Sequence, residues 1–184
     1  IPYEDKERQI VNYTNCTAIE NGWVWEIPLW SRLGSGYVYS DRFISHKDAL
    51  KEFQQTLIKK GYKNVEELEY KHIPMRNGFY DKMWKKNVCA IGLSGCFIEP
   101  LESNGLYNTH EFLLYLAQVL ERNNGYTSQW DIDNFNTTCL STFLQFAEFV
   151  ALHYALSHRD DSEYWRELQT RHWTTNSYIK NIHI

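Results

Sequence analysis

The sequence lacks the long apolar segments and leader patterns that would direct a chain into or across a membrane. No run approaches eighteen apolar residues, and no charged, apolar and small-residue leader opens the chain. Basic residues are scattered, and the formal net charge is −4. A basic stripe that could neutralise the phosphates of a nucleic acid is therefore not expected. We expect a cytoplasmic protein that has neither a membrane nor a nucleic acid as a partner.

The sequence also lacks the motifs of several common catalytic and metal sites. It has no Walker loop, no H-E-x-x-H, no G-x-S-x-G and no G-x-G-x-x-G. The glycine-rich Gly34-Ser35-Gly36 predicts a turn rather than a phosphate loop, because no helix follows it. The cysteines are far apart without a C-x-x-C pair, so we expect buried, reduced thiols and no metal site. These cysteines are Cys16, Cys89, Cys96 and Cys139.

What the sequence does have is ample apolar material for a packed core. Of its 184 residues, 43% are hydrophobic and 16% are aromatic. In the first half, Asn21-Gly22 lies between two runs of β-branched and aromatic residues and predicts a β-hairpin. A third run at 36–40 predicts another strand. Short strands are expected within 66–93, around a turn at Arg76-Asn77-Gly78.

Apolar residues recur at helical spacing from His46 onward. They predict a helix that ends at Gly61 and further helices over 112–120, 135–154 and 161–172. Strands followed by helices favour an α+β fold, with an antiparallel sheet in the first half and a helical second half. We place the boundary between a strand-rich part, 1–93, and a helical part, 94–184. The abrupt opening of the chain predicts that it is the later portion of a larger protein.

Residues 95–106, GCFIEPLESNGL, set two carboxylates within apolar sequence. If their apolar neighbours are buried, Glu99 and Glu102 cannot both face water, and a carboxylate in a dry site has a raised proton affinity. The alternative is that one of them lies on the outer side of the turn. The polar residues that follow, 103–105, favour a simple helix cap, although their amides also suit an anion. The two roles can coexist.

Two other stretches combine aromatic and charged residues. In GWVWEIP, Trp23 and Trp25 point to the same face of a strand, where they either join the core, which local sequence favours, or wall an aromatic ligand. In LHYALSHRDDSEYW, Asp160 or Asp161 could cap the next helix and pair with Arg159. The alternative is a substrate wall of aromatic rings with a carboxylate for a ligand amine.

Together these three stretches resemble the flavin-dependent tryptophan halogenase family. GWVWEIP is similar to the family signature G-W-x-W-x-I-P, and AIGLSGCFIEPLESNGL is similar to A-I-G-L-x-x-G-F-x-E-P-L-E-S-T-G. LHYALSHRDDSEYW resembles L-H-Y-x-x-T-x-R-x-D-x-x-F-W. Their order and approximate spacing also fit, so the resemblance covers nearly the whole chain. It implies that the chain is part of a larger FAD-dependent, monooxygenase-like fold.

The resemblance also implies a reaction and its reagents. Reduced FAD, delivered by a separate flavin reductase, and oxygen would convert chloride or bromide to hypohalous acid. The acid would travel to a separate pocket and halogenate an electron-rich aromatic substrate such as an indole. A homodimer is one assembly open to such a protein.

The resemblance assigns roles by position. Glu102 would be catalytic and face the substrate, whereas Glu99 is expected to be structural. The halide would contact Ser103, Asn104 and Gly105, and the flavin would lie near Leu93, Leu106, Trp23 and Trp25. The substrate would contact Glu102, His153, Tyr154, Asp160, Tyr164 and Trp165.

Several departures from the family pattern limit what the resemblance implies. His153, Asp160 and Tyr164 replace a tyrosine, a glutamate and a phenylalanine, so a substrate other than free tryptophan is expected. The dinucleotide loop and the lysine of the family are absent from this chain. The chain is therefore a fragment, works with another polypeptide, or is inactive alone. The alternatives are a FAD-dependent monooxygenase of the same fold and a non-catalytic binding module.

Overall fold

Antiparallel strands in the first half of the chain are followed by long helices in the second half, which confirms the predicted α+β class. The structure is a computed structural model that describes residues 1–3 and 11–170. The described chain packs as two units, one of residues 1–72 with 157–170 and one of residues 73–156. The predicted boundary between residues 93 and 94 divides a strand-rich part from a helical part and does not describe how the chain packs. It stays a prediction.

An antiparallel sheet lies at the centre of the first unit. Its strands, in the order β1-β2-β3, are β1 (Asn15–Ile19), β2 (Gly22–Pro28) and β3 (Leu33–Tyr39). Ile19 pairs with Gly22, so the predicted hairpin at Asn21-Gly22 is confirmed. The predicted third strand is also present, but it begins at Leu33 instead of residue 36.

The glycines of β3 correct the prediction that Gly34-Ser35-Gly36 forms a turn. All three residues are paired with β2, and Gly36 lies directly opposite Trp25. The Trp25 indole covers Gly36, because an ideal Cβ built there would lie 2.5 Å from Trp25 Cζ2. Glycine is therefore present to make room for a ring on the neighbouring strand, a tertiary reason that glycine content alone does not reveal.

Helix α1 (His46–Lys59) begins and ends as its sequence predicts. The Ser45 hydroxyl accepts the N–H of Asp48 at 3.2 Å, which caps the helix start. Gly61 follows the helix with a φ of 87°, a left-handed conformation that glycine adopts without steric cost. Local capping chemistry thus sets both ends of α1.

The core of the first unit forms where α1 packs on the sheet. Ala49, Phe53 and Leu57 are buried at intervals of four residues along one face of α1. Phe53 and Leu57 pack in a buried cluster with Val24 of β2 and Val65. The apolar stripe predicted from the sequence is therefore the face that α1 buries.

The segment 157–170 is docked onto the end of β1. Three side chains donate hydrogen bonds to the consecutive carbonyl oxygens of residues 18, 19 and 20: Arg159 to the first, Trp165 to the second at 2.7 Å, and Ser162 to the third at 2.6 Å. The segment contains helix α4 (Glu163–Thr170). The predicted helix over 161–172 is present over this range, and residues 171–172 lie outside the described residues.

The second unit begins with very short strands. Strand β4 (Gly78–Phe79) pairs with β7 (Cys96–Phe97), and β5 (Trp84–Lys85) pairs with β6 (Val88–Cys89). The prediction of short strands after residue 66 is thus correct from residue 78 onward. Among the described residues, 66–77 carry no strand.

Two long helices complete the second unit, α2 (Asn104–Arg122) and α3 (Gln129–Ala155). Both confirm predicted helices and extend beyond them. Their buried apolar side chains are Phe112 and Val119 on α2 and Ile132, Phe135, Cys139, Phe143, Ala147 and Val150 on α3. No helix among residues 1–3 and 11–170 is long and apolar enough to cross a membrane.

The cysteines are free thiols in two kinds of environment. Cys96 and Cys139 are buried and Cys89 is half-buried, and burial raises the pKa of the Cys96 thiol to about 11 and that of Cys139 to about 12. Cys16 is exposed on β1, so the expectation of burial was wrong for this residue. Cys16 lies on β1, where Asn15 and Ala18 are also exposed. The other three cysteines belong to the second unit.

We predict that Gly36→Ala destabilises the chain, because the added methyl group collides with the Trp25 ring. The expected loss is about 1 to 3 kcal/mol in the free energy of unfolding, measured by urea denaturation. Gly34→Ala is the matched control, since an ideal Cβ there meets Trp25 Cζ3 at an ordinary 3.5 Å. Equal unfolding midpoints for the two variants would contradict this account of β3.

Candidate functional site

A strained turn leads into helix α2. The 3₁₀ turn Leu101–Ser103 precedes the helix, and Glu102 and Ser103 have left-handed φ values of 67° and 52°. For residues other than glycine, such conformations cost about 1 to 2 kcal/mol each. Contacts elsewhere in the second unit must therefore hold this turn in place.

Glu99 supplies one of those contacts from inside the unit. Its side chain is only 2% exposed, and the Tyr154 hydroxyl lies 2.5 Å and 2.6 Å from its two carboxylate oxygens. Desolvation raises the pKa of Glu99 to about 7, although the Tyr154 hydrogen bond and the charge of His153 act in the opposite direction. The raised proton affinity expected for one of the two carboxylates therefore belongs to Glu99.

Glu102 lies in a different environment, three residues along the same turn. Its side chain is 43% exposed, and its Oε1 lies 3.0 Å from Nε2 of His153 on α3. The alternative that one carboxylate lies on the outer side of the turn therefore applies to Glu102. Consecutive residues of α3, His153 and Tyr154, thus hold the two carboxylates.

The start of α2 is open where an anion is predicted to bind. Ser103 occupies the N-cap position, yet within the described chain its hydroxyl makes no capping hydrogen bond, which weighs against a simple side-chain cap. The buried Asn104 amide instead closes the turn by donating to the carbonyl oxygens of Leu101 at 3.2 Å and Glu99 at 3.4 Å. An ideal Cβ at Gly105 meets no atom within 4 Å. Amides of the first helical turn lack intrahelical acceptors, so this open corner suits a halide.

Two leucines beside this corner are almost fully exposed. Leu93 is 81% exposed on the 3₁₀ turn Gly92–Ser94, and Leu106 is 82% exposed on the first turn of α2. An ideal Cβ at Gly92 would lie 2.9 Å from Thr109 Oγ1, so the 3₁₀ turn packs closely on α2. Exposed apolar side chains next to open amides fit a flat aromatic group such as a flavin ring.

The tryptophan pair lies in the first unit. Trp23 and Trp25 are both on β2 and share a sheet face, as predicted; Trp23 is buried, and Trp25 is half-buried over Gly36. Both observations agree with packing in the core, the interpretation that local sequence favours. They leave the predicted flavin contact as a proposal.

The residues predicted from the third stretch have mixed surroundings. Tyr164 and Trp165 are buried in the first unit, and Asp160 is exposed there. The prediction that an aspartate caps α4 is corrected, because the Ser162 hydroxyl accepts the Trp165 N–H at 3.3 Å and fills that role. Arg159 pairs with Asp161, as one alternative predicted.

The predicted site residues are therefore divided between the two units. The first unit contains Trp23, Trp25, Asp160, Tyr164 and Trp165. The second unit contains Leu93, Glu102, Ser103, Asn104, Gly105, Leu106, His153 and Tyr154. Within the second unit the structure brings Glu102 to His153, and it brings Tyr154 to Glu99 instead of to an open pocket.

A cleft of about 310 Å³ on the second unit was not predicted from the sequence. Its aromatic wall reaches His153, since the ring of Phe149 packs edge-on against that imidazole at 5.0 Å. The lining residues are Tyr107, Glu111, Tyr115, Thr142, Gln145, Phe146 and Phe149. Tyr107 and Tyr115 lie two helical turns apart on α2, and Phe146 and Phe149 lie one turn apart on α3. This helical spacing is the signal that could have identified them.

The contact between Glu99 and Tyr154 was also missed by sequence reasoning. The two residues are 55 positions apart, and no local pattern connects them. The available signal was chemical: a carboxylate between the apolar Ile98 and Leu101 needs a polar partner in the interior. Tyr154 is one of the buried residues of α3 and is the matching donor.

Comparison with known proteins relates this chain to one family. The family model for tryptophan halogenase matches residues 1–182. The chain is 34% identical over 174 residues to the 7-chloro-L-tryptophan 6-halogenase KtzR of Kutzneria sp. (strain 744), covering 93% of this chain and 32% of that protein. It is also 34% identical over 174 residues to the tryptophan 6-halogenase SttH of Streptomyces toxytricini, with the same coverage of 93% and 32%.

Solved structures show the same similarity. The apo structure of VirX1 is 43% identical with a TM-score of 0.89, over 96% of this chain and 33% of that one. The crystal structure of SttH is 35% identical with a TM-score of 0.83, over 94% of this chain and 34% of that one. The chain thus spans about a third of the length of the relatives it matches.

We predict that Glu99→Gln flattens the pH dependence of stability. Because the folded pKa of about 7 lies above the ordinary 4.5, the folded state holds a proton that the unfolded state releases. The contribution of Glu99 to stability is therefore greatest below pH 4.5 and falls by about 3 kcal/mol as the pH rises from 4.5 through 7. Glutamine stays neutral and removes this fall.

Urea denaturation followed by circular dichroism at several pH values between about 5 and 8 measures this effect. Glu121→Gln on the exposed side of α2 is the matched control and should keep the parent slope. A Glu99→Gln variant that loses stability with pH as steeply as the parent would show that Glu99 does not titrate in this way.

Proposed function

The chain belongs to the tryptophan halogenase family, and we propose that it forms part of an enzyme that halogenates an electron-rich aromatic substrate, such as an indole. The proposed reagents are reduced FAD, oxygen and a halide ion. The family membership concerns about a third of the relatives' length, so the activity of a complete protein is inferred from the residues that this third contributes.

The observation that carries the proposal is the arrangement of the turn before α2. A partly exposed carboxylate, Glu102, and the first turn of α2, with open space at Gly105, lie on one short segment. Oε1 of Glu102 lies 3.0 Å from Nε2 of His153, and this contact holds the carboxylate beside the helix start. The two exposed leucines flank the same segment.

Each group on this segment has a distinct role in the proposal. When bound, reduced FAD would supply, with oxygen, the oxidising equivalents that convert halide to an electrophilic halogen. Leu93 and Leu106 would contact the flavin ring, and the amides of Asn104 and Gly105, with Ser103 beside them, would hold the halide. Trp23 and Trp25 would lie near the flavin.

Glu102 would act on the substrate. An aromatic ring that gains an electrophilic halogen carries a positive charge until it loses the hydrogen on the same carbon. A carboxylate next to that carbon stabilises the charge and accepts the proton, while the electrons of the C–H bond return to the ring. Glu102 is suited to this role because its side chain is accessible and the buried Glu99 is not.

The remaining predicted contacts belong to the same proposal. His153 and Asp160 are exposed, so their side chains are accessible to a substrate, whereas the burial of Tyr154, Tyr164 and Trp165 favours a structural role for these three. The departures at His153, Asp160 and Tyr164 favour a substrate other than free tryptophan. A separate flavin reductase, a homodimer and a cytoplasmic location are further parts of this proposal.

A chimera tests the proposed function. This chain would replace the matching third of SttH, and the product would be incubated with FAD, a flavin reductase, NADH, oxygen, bromide and either indole or tryptophan. We expect a monobrominated product by mass spectrometry, with indole preferred to tryptophan. A chimera that binds FAD but yields only hydroxylated product at saturating bromide would support the monooxygenase alternative, and one that binds no FAD would support the non-catalytic module.

Glu102→Gln in this chimera should separate halogenation from flavin chemistry. Loss of the proton acceptor should lower the bromination rate by about 100-fold or more, while peroxide production from reduced flavin stays within about twofold. Glu121→Gln is the control for removal of a carboxylate. Equal losses of bromination and peroxide production would mean that Glu102 serves the flavin instead of the substrate.

A further inference from the structure

Both ring nitrogens of His153 are engaged, and this fixes the orientation of the imidazole. Nδ1 lies 2.9 Å from the carbonyl oxygen of Phe149, one turn earlier on α3, and Nε2 lies 3.0 Å from Oε1 of Glu102. The Phe149 ring also packs edge-on against the imidazole. The imidazole therefore cannot rotate without losing a contact on each side.

The two contacts together specify how many protons the pair holds. A backbone carbonyl can only accept a hydrogen bond, so Nδ1 of His153 carries a hydrogen. An ionised carboxylate also only accepts, so the contact with Glu102 requires a second proton, on either Nε2 or the carboxylate. With that proton on Nε2, the imidazole donates to Glu102 and the carboxylate stays an anion, as the proposed function requires.

We propose that His153 is the positioning residue of Glu102, and that it holds the carboxylate as an anion in one orientation by sharing a proton with it. This inference rests on the proposed function, in which Glu102 accepts a proton from the substrate ring. In this role His153 acts on the substrate through Glu102 and not by direct contact.

The backbone at Glu102 shows why such a residue is needed. The left-handed φ of 67° directs the side chain out of the turn, where it is 43% exposed. A glutamate in that position without a partner would sample several rotamers, and ordering it costs conformational entropy that a fixed hydrogen-bond donor offsets. His153 is that donor, and its own ring is fixed by Phe149.

The other titratable groups that face His153 come from the turn before α2 and from α3 itself. From the turn, Glu99 and Glu102 both face it, and the positive charge of His153 acts to lower the pKa of Glu99. Tyr154 follows His153 on α3, and its hydroxyl is bonded to Glu99.

Proton transfer through the pair conserves atoms and charge. The substrate C–H bond breaks, its electron pair stays in the ring, and the proton forms an O–H bond at Glu102. The Nε2–H bond of His153 then breaks and its proton passes to water, which reaches the imidazole because the His153 side chain is 35% exposed. The O–H bond of Glu102 breaks in turn, and its proton moves to Nε2, which restores the carboxylate and the donor. No oxidant or further reactant is required for this step.

Two substitutions at His153 separate positioning from other roles. In His153→Gln the amide nitrogen reaches the place of Nε2 and can still donate to Glu102, whereas in His153→Asn the shorter side chain cannot. In the chimera with SttH, we expect His153→Asn to lower kcat for bromination by about 100-fold with little change in KM. His153→Gln should recover most of that loss, and peroxide production should be unchanged in both variants.

Nuclear magnetic resonance of the ¹⁵N-labelled 184-residue chain tests the shared proton without any activity. At neutral pH both ring nitrogens of His153, identified by their loss in His153→Asn, should show shifts of protonated nitrogen. In Glu102→Gln, Nδ1 should stay protonated while Nε2 loses its proton, because an amide no longer favours the imidazolium.

The two measurements distinguish failure of the pair from failure of the proposed function. An unprotonated Nε2 in the parent chain, or identical spectra for the parent and Glu102→Gln, would overturn the pair whatever the chimera does. Equal bromination rates for the parent chimera, His153→Gln and His153→Asn would also overturn the pair. That result would leave the halogenase proposal standing. A chimera without bromination, combined with the expected spectra, would overturn only the function.

Discussion

A buried carboxylate needs hydrogen-bond partners, and the partner of Glu99 fixes the position of the turn before α2. An unpaired carboxylate in a dry interior costs several kcal/mol, so this segment can be buried only where a donor is available. Tyr154 supplies the donor, and the raised pKa of Glu99 shows that uptake of a proton relieves the remaining cost. The left-handed residues Glu102 and Ser103 are held next to this anchor. The position of every residue proposed to bind flavin, halide or substrate on this segment therefore depends on the contact between Glu99 and Tyr154.

The two glutamates of the turn show that identical side chains take different roles when their surroundings differ. Glu99 has no access to a substrate and a strong tendency to be neutral, so it contributes to structure. Glu102 is accessible and lies next to the imidazole of His153, so it is the carboxylate to which we assign the chemical role. Pairs of carboxylates with different surroundings are a common way to separate structural from chemical roles at one site. Consecutive residues of α3 hold both, which couples the geometry of the reactive carboxylate to the packing of the helix.

Local signals predicted much of the fold, and tertiary contacts explain where they failed. The hairpin at Asn21-Gly22 and the end of α1 at Gly61 follow from backbone preferences of the residues themselves. The turn predicted at Gly34-Ser35-Gly36 is instead a strand, because the reason for Gly36 is the indole of Trp25 on the neighbouring strand. Similarly, Ser162 rather than an aspartate caps α4, in a segment whose side chains also bond the carbonyl oxygens of β1.

The sequence by itself determined the family, the order of strands and helices, and the short segment on which the proposed chemistry lies, because motifs and periodicity are properties of neighbouring residues. The tertiary structure alone decided which glutamate is buried, which histidine nitrogen faces Glu102, and which predicted pocket residues lie in a core. Those outcomes depend on burial and on donors from distant positions, such as the 55 residues that separate Glu99 from Tyr154. Burial and proton count are set by what surrounds a side chain in space, and linear spacing does not specify those surroundings.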